Sequence, residues 1–169
     1  MKQMFEYAEK YVNKNFPILD FSYSKNKIEE IPTTQVMVFC RNSDGKYCIV
    51  KDYDESYYSL PGGGCDLGEK DENCAHREVF EEAQFKIHDI KLIGNTIVNI
   101  SDKKGTVVSK SKHVRFHAKI DSIKEFIPRK HGMETVERKF IDFKDLKKKV
   151  LLLQNPIGDE ILKEVKKII

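Results

Sequence analysis

Two spacings organise the apolar residues of this chain. Period-two alternation, or short runs of branched and aromatic residues, marks strands, and three-to-four spacing marks helices. Gln3 to Val12 brings Met4, Phe5, Ala8, Tyr11 and Val12 to one helical side, an N-terminal helical extension over about residues 1–15. Pro17 to Pro32 reads as a linker in which Ile18, Leu19 and Phe21 form a short strand. Thr34 to Arg41 and Lys46 to Lys51 read as strands joined by Asn42-Ser43-Asp44-Gly45, a strong hairpin-turn signal. Tyr57 to Leu60 then leads into Gly62, Gly63 and Gly64, and a helix follows from Asp71 to Ala83.

Beyond that helix, Ile87 to Ile100 supplies one or two strands. Lys103-Lys104-Gly105 makes a turn, with strand candidates at Val107 to Val108 and His113 to Ile120. Phe140 to Phe143 enters a helix at Lys144-Asp145-Leu146. Gly158 to Ile169 forms an amphipathic helix with Ile161, Leu162, Val165, Ile168 and Ile169 inward. Strands alternating with helices, without internal repeats or low-complexity tracts, predict a single α/β domain over residues 1–169.

Composition narrows the function only slightly. A chain of 169 residues, 40% apolar and 34% charged, has enough material for one core without staples. Its net charge of +3 is the residue of thirty basic and twenty-seven acidic side chains, so no strong field singles out nucleic acid. Lys147-Lys148-Lys149 and Lys163 to Lys167 are expected as solvated helix faces. No signal peptide or membrane-length apolar run is evident, which favours a cytoplasmic location and no membrane partner.

The cysteines lack C-x-x-C spacing, which argues against zinc. Cys40 and Cys48 lie in strand-like runs and are expected as reduced core residues, and Cys74 as a small helix residue. His113 and His117 share one strand face and, without a third ligand, are expected to face solvent or line a substrate site.

The chemistry concentrates in Gly63 to Phe85, GGCDLGEKDENCAHREVFEEAQF. Residues three and four apart share a helix face, so Glu78, Glu81 and Glu82 crowd into an arc of roughly 100°. Such carboxylates resist ionisation together unless a cation sits among them. Hard oxygen donors at this density suit Mg²⁺, with Mn²⁺ as its substitute. Arg77, one turn before Glu81, is expected to hold that carboxylate. Val79, Phe80 and Ala83, with Ala75 at the margin, form an apolar face for a sheet. The glycines let a ligand approach the main chain closely, but no Gly-Lys-Ser/Thr follows, so this is not a P-loop.

Gly63, Glu69, Arg77, Glu78, Val79, Glu81, Glu82 and Phe85 closely resemble the signature of the Nudix hydrolase superfamily, G-x5-E-x7-R-E-U-x-E-E-x-G-U, with U a bulky apolar residue. One position departs: Gln84 stands where the second glycine is specified. Glycine just past a helix end commonly closes it in the left-handed conformation, and either Gln there costs about 1 kcal/mol or the helix ends differently. The resemblance implies an α/β/α sandwich with a mixed sheet and a loop-helix-loop catalytic motif. It implies metal-dependent hydrolysis of a diphosphate linkage in a nucleoside diphosphate derivative, releasing a nucleotide and a phosphorylated product.

Glu78, Glu81 and Glu82 are the implied metal ligands and Gly62, Gly63 and Gly64 the phosphate loop. Glu81 or Glu82 acts as base or water-orienting group, and Glu69 and Arg77 hold loop to helix. Glu134, Glu137, Arg138 and Phe140, followed by Phe143-Lys144-Asp145-Leu146, are similar to a weaker family feature near the C-terminus. An acidic loop there often supplies a further ligand or base, which makes Glu134 and Glu137 additional candidates. Two alternatives stay within the resemblance, a non-catalytic nucleotide-sensing module and an isomerase of isoprenoid diphosphates. The partner is a small molecule in either case, and a homodimer is compatible with the chain. Tyr53, Tyr57, Tyr58 and Phe116 are candidates to stack on a base, but the motif does not select the substrate.

Overall fold

The computed structural model describes residues 18–53, 55–102, 104–128 and 135–169. The expected helix at Gln3 to Val12 and Glu134 lie outside these residues. Six strands form one mixed sheet: β1 (Ile18–Ser24), β2 (Thr33–Arg41), β3 (Tyr47–Asp52), β4 (Ile87–Ser101), β5 (Val107–Ile120) and β6 (Thr135–Ile141). Their order is β1-β4-β5-β2-β3-β6, with β2 and β5 parallel and every other neighbouring pair antiparallel. Helices α1 (Asp71–Ala83), the single turn α2 (Leu146–Lys149) and α3 (Pro156–Lys166) complete the described elements, with 3-10 turns at Phe143–Asp145 and Leu151–Leu153.

The alternation along β2 assigns the layers. Val36, Val38 and Cys40 point to one face, where Cys74, Ala75, Val79 and Ala83 of α1 pack with Val114, Phe116 and Ala118 of β5. Met37 and Phe39 point to the other, against Leu146, Val150, Leu153, Ile161 and Val165. The result is the α/β/α sandwich that the sequence leads one to expect. Val79 and Ala75 are fully buried, and a side chain the size of Val79 contributes about 1.5–3 kcal/mol by leaving water. Cys40 and Cys48 are buried and reduced, also as expected.

Ile87 to Ser101 is a single long strand, within the one or two expected, and register shifts after His88 and Leu92 leave it paired with β5. Several other expectations are corrected. The two candidates between Val107 and Ile120 are likewise one strand. Phe80 is 54% exposed: it follows Val79 by about 100° around the helix, which turns it off the sheet-facing side. Ile169 lies beyond the end of α3 and is exposed. That helix starts earlier than expected, at Pro156, where the Asn155 side chain accepts from Gly158 N at 3.0 Å.

His117 does not face solvent. It is buried on the α3 side, its Nε2 3.3 Å from Tyr47 Oη. Phe116 belongs to the core under α1 and cannot stack on a base. Lys147, Lys148, Lys149, Lys163, Lys166 and Lys167 are exposed, as expected of solvated faces.

Candidate active site

The glycine segment is built into the sheet. β2 and β3 pair at Arg41 and Tyr47 and then diverge, and Ser59 to Gly64 lies between them. On one side Val38 N donates to Pro61 O at 2.8 Å and Val36 N to Gly63 O at 3.0 Å. On the other, Val50 and Ser59 exchange main-chain bonds of 3.0 and 2.9 Å. Gly62 has φ +150°, and a Cβ there would strike Val36 O and Met37 Cα, so glycine is required. A Cβ at Gly63 would land on the Glu78 carboxylate. Gly64 would meet nothing closer than Thr34 O at 4.0 Å, and its contribution is its carbonyl. Main chain and acidic helix therefore come into direct contact: Gly62 N donates to Glu82 Oε2 at 2.9 Å.

Arg77 ties the loop to the helix. Its Nε donates to Glu69 Oε1 at 3.0 Å and its Nη2 to Glu69 Oε2 at 2.7 Å, a bidentate pair. Nη2 also reaches Gly64 O at 2.9 Å, and Nη1 reaches Glu78 Oε1 at 2.6 Å. The expected bond to Glu81 is the longest of the set, at 3.3 Å. Glu69, eight residues earlier, outcompetes it because Asp66 N donates to Glu69 Oε2 at 3.1 Å and fixes the carboxylate for the fork. These bonds hold the Glu69 carboxyl below its ordinary range.

The three helix glutamates differ in state. Glu78 is 9% exposed, and burial pushes its carboxyl up against the opposing pull of Arg77. Glu81 is exposed. The half-buried Glu82 carboxyl is pushed up to about 8, first by desolvation, with the Gly62 bond opposing. Among the charges that raise it, Asp52 precedes Glu78 and Glu81. Asp52, at the end of β3, is an acidic neighbour that no sequence spacing signals, since only the sheet brings it to α1.

The trio lies on one side of α1, but separate partners hold it apart. Among the described residues, the group of three or more His, Cys, Asp and Glu side chains whose ligand atoms all lie within 4.8 Å of one another is Cys65, Glu69 and Cys74. There the sequence expectation for Cys74 fails: Cys65 and Cys74 form a disulfide, their Cα atoms 5.5 Å apart. The ten-residue ring closes because the helix starts at Asp71 and turns Cys74 back toward the loop. Glu137 on β6 is occupied elsewhere, accepting from Tyr58 Oη at 2.6 Å and pairing with Lys139 Nζ at 2.5 Å.

Gln84 ends α1 in the left-handed conformation, φ 57° and ψ 39°, as expected where the signature has glycine. Its side chain also reaches the segment before β6, as does Arg138, which donates to Ala83 O and Lys124 O, each at 2.6 Å.

The donor chemistry fits a hard divalent cation. Among the described residues, Arg77 is the cation bonded to Glu69, Glu78 and Glu81, while Glu82 accepts from Gly62 N and has an elevated carboxyl. The local balance is negative, and a cation would relieve it.

A sheet between helices with a glycine loop clasped to an acidic helix defines a class, and the comparisons agree. The family model for the NUDIX domain matches residues 32–164. The chain belongs to the NUDIX domain family. Among solved structures it is similar to the pyrophosphohydrolase BsRppH of Bacillus subtilis, with a TM-score of 0.64 and 21% identity over 88% of this chain and 90% of that one. It is similar to a NUDIX hydrolase from Nitrosomonas europaea (TM-score 0.57, 18% identity, 80% and 89% covered). A third is an ADP-ribose pyrophosphatase from Streptococcus suis (TM-score 0.56, 24% identity, 80% and 92% covered). At these identities the likeness speaks for the fold.

Proposed function

We propose that this chain hydrolyses a diphosphate linkage in a nucleoside diphosphate derivative, with Mg²⁺ as cofactor and Mn²⁺ as its substitute. The observation that carries the reading is the clasp in which Arg77 binds Glu69, Gly64 O and Glu78 while Gly62 N binds Glu82. It sets the glycine segment directly against the acidic side of α1. The relatives named pyrophosphohydrolase and ADP-ribose pyrophosphatase support the same linkage.

Glu78, Glu81 and Glu82 would hold the metal, which when bound neutralises diphosphate charge and favours attack by water. Arg77 and Glu69 keep loop and helix in register and do not need to touch the reacting atoms. Gly62 keeps Glu82 aimed at the loop. Of the two candidates for taking the water proton, Glu82 is the better placed. The Gly62 N bond holds its carboxylate against the glycine loop, whereas Glu81 is solvated.

Turnover of a panel of nucleoside triphosphates, nucleotide sugars, ADP-ribose, dinucleoside polyphosphates and coenzyme A, with and without Mg²⁺, tests the reading. Metal-dependent release of a nucleotide or phosphorylated product is the expected result. Activity that persists after exhaustive EDTA treatment would overturn the metal requirement.

A further inference from the structure

The disulfide sits within bonding reach of the clasp. Cys74 Sγ lies 3.6 Å from Gly64 O and 3.8 Å from Arg77 Nη2, and the same guanidinium binds Gly64 O, Glu69 and Glu78. The ring closed by Cys65 and Cys74 contains Glu69, the chief partner of Arg77. Cys74 is fully buried while Cys65 is only partly covered, so an external thiol or disulfide meets the pair at Cys65. Cys40 and Cys48 are buried in β2 and β3, and burial pushes both thiols up, which keeps them out of exchange.

We propose that Cys65 and Cys74 form a thiol–disulfide switch that sets how firmly the glycine loop is held on α1, and through it how tightly the carboxylates hold metal. The metal half of this statement rests on the metal-dependent reading above. In the oxidised state the bond pins residue 65 to the first turn of the helix, so Gly64 O and Glu69 stay in place for Arg77. In the reduced state Asp66 to Lys70 keeps its hydrogen bonds but loses the covalent tie across to the helix, and Arg77 loses part of the scaffold that orients it toward Glu78. Groups that orient metal ligands typically matter by 10–100-fold in metal affinity.

The chemistry balances with a small disulfide as oxidant. The Cys65 thiolate attacks one sulfur of oxidised glutathione, forming a mixed disulfide and releasing glutathione thiolate. Cys74 then attacks the Cys65 sulfur and releases the second glutathione. Two S–H bonds are lost from the protein, and two glutathione molecules carry away the electrons and protons. Reduction runs the same steps in reverse.

The test uses the full chain equilibrated with oxidised or reduced glutathione. Denatured thiol titration should count two fewer thiols in the oxidised form. Hydrogen exchange over residues 65–70 should be faster in the reduced form, because the Glu69 N bond to Asp66 O and the Cys65 N bond to Thr34 O open more often. Mn²⁺ binding, read by electron paramagnetic resonance without substrate, should be about tenfold weaker when reduced. Cys65→Ser should match the reduced form in both buffers, and Cys74→Ser repeats the comparison should the first variant not fold.

Equal exchange in the two forms, or four free thiols in oxidised glutathione, overturns the switch. Equal Mn²⁺ affinity overturns its effect on the site. If neither form binds Mn²⁺, the metal reading fails, and hydrogen exchange alone decides whether the bond controls the loop.

Discussion

The amide of Gln84 closes on the main chain of Ile127: Nε2 donates to Ile127 O at 2.7 Å, and Oε1 accepts from Ile127 N at 3.0 Å. The one residue that departs from the Nudix signature thus does something glycine cannot. It takes the left-handed conformation at a cost of about 1–2 kcal/mol and offsets that cost by binding the segment that leads to β6. Together with Arg138, stacked 5.2 Å over Phe126 and bonded to Ala83 O, it ties that segment to the end of the catalytic helix.

Gln84→Gly should therefore not stabilise the fold by the full backbone relief. Two partly exposed hydrogen bonds worth about 0.5–1.5 kcal/mol each are lost as about 1 kcal/mol of strain is removed. The expected variant is close to wild type in stability. Gln84→Ala keeps the strain and loses the bonds, and should be about 1–3 kcal/mol less stable than wild type. Urea unfolding of the three proteins checks this, and an alanine variant as stable as wild type would show that the amide contributes nothing.

Acid should destabilise this fold through His117. Burial holds its ring down to about 4, below the ordinary value near 6.5, so the folded state refuses a proton that the unfolded chain accepts. Stability from this group is complete above about 6.5 and is lost as pH falls from there toward 4. The loss is at most about 1.4 kcal/mol per pH unit. His117→Gln is expected to be less stable at pH 8 but to show a flatter decline between pH 6.5 and 4. Parallel slopes for the two proteins would show that His117 does not titrate across unfolding.

Val79 separates scaffolding from chemistry. It is fully buried against the sheet on the helix that carries the glutamates. Val79→Ala should lower stability by about 1–3 kcal/mol while turnover below the melting transition stays near wild type. A thermal melt paired with turnover at a low temperature makes the comparison, and lost activity in a fully folded Val79→Ala protein would contradict it.

Local signals proved legible where one element decides the outcome. A helix over about Asp71 to Ala83 was legible, because absent prolines and glycines and the spacing of apolar and charged residues agree over that stretch. For Gln84 the signature glycine offered the left-handed end or a helix that ends differently, and the left-handed end is the one found. Contacts across elements were not legible. Nothing in spacing says that the Asp66 main chain fixes Glu69 as the better partner of Arg77, or that the sheet brings Asp52 to Glu82. Cys65 and Cys74 stand nine apart with no recognised metal or redox spacing, and only the entry angle of the helix brings them together. His117 shows the same limit, since strand alternation gives its face but not that Tyr47 covers it.

The most direct measurement is metal-dependent turnover of Glu82→Gln on a substrate the wild type accepts, with the melting temperature recorded on the same sample. The substitution keeps size and helix propensity and removes the charge. The variant should fold as well as wild type or better, because a carboxyl raised from 4.5 to about 8 costs stability that grows as pH rises through that interval and is complete above it. Its turnover should fall by roughly a hundredfold or more, about 2.7 kcal/mol of transition-state stabilisation. A folded Glu82→Gln protein with full Mg²⁺-dependent turnover would contradict the assignment of the acidic face of this helix as the catalytic element.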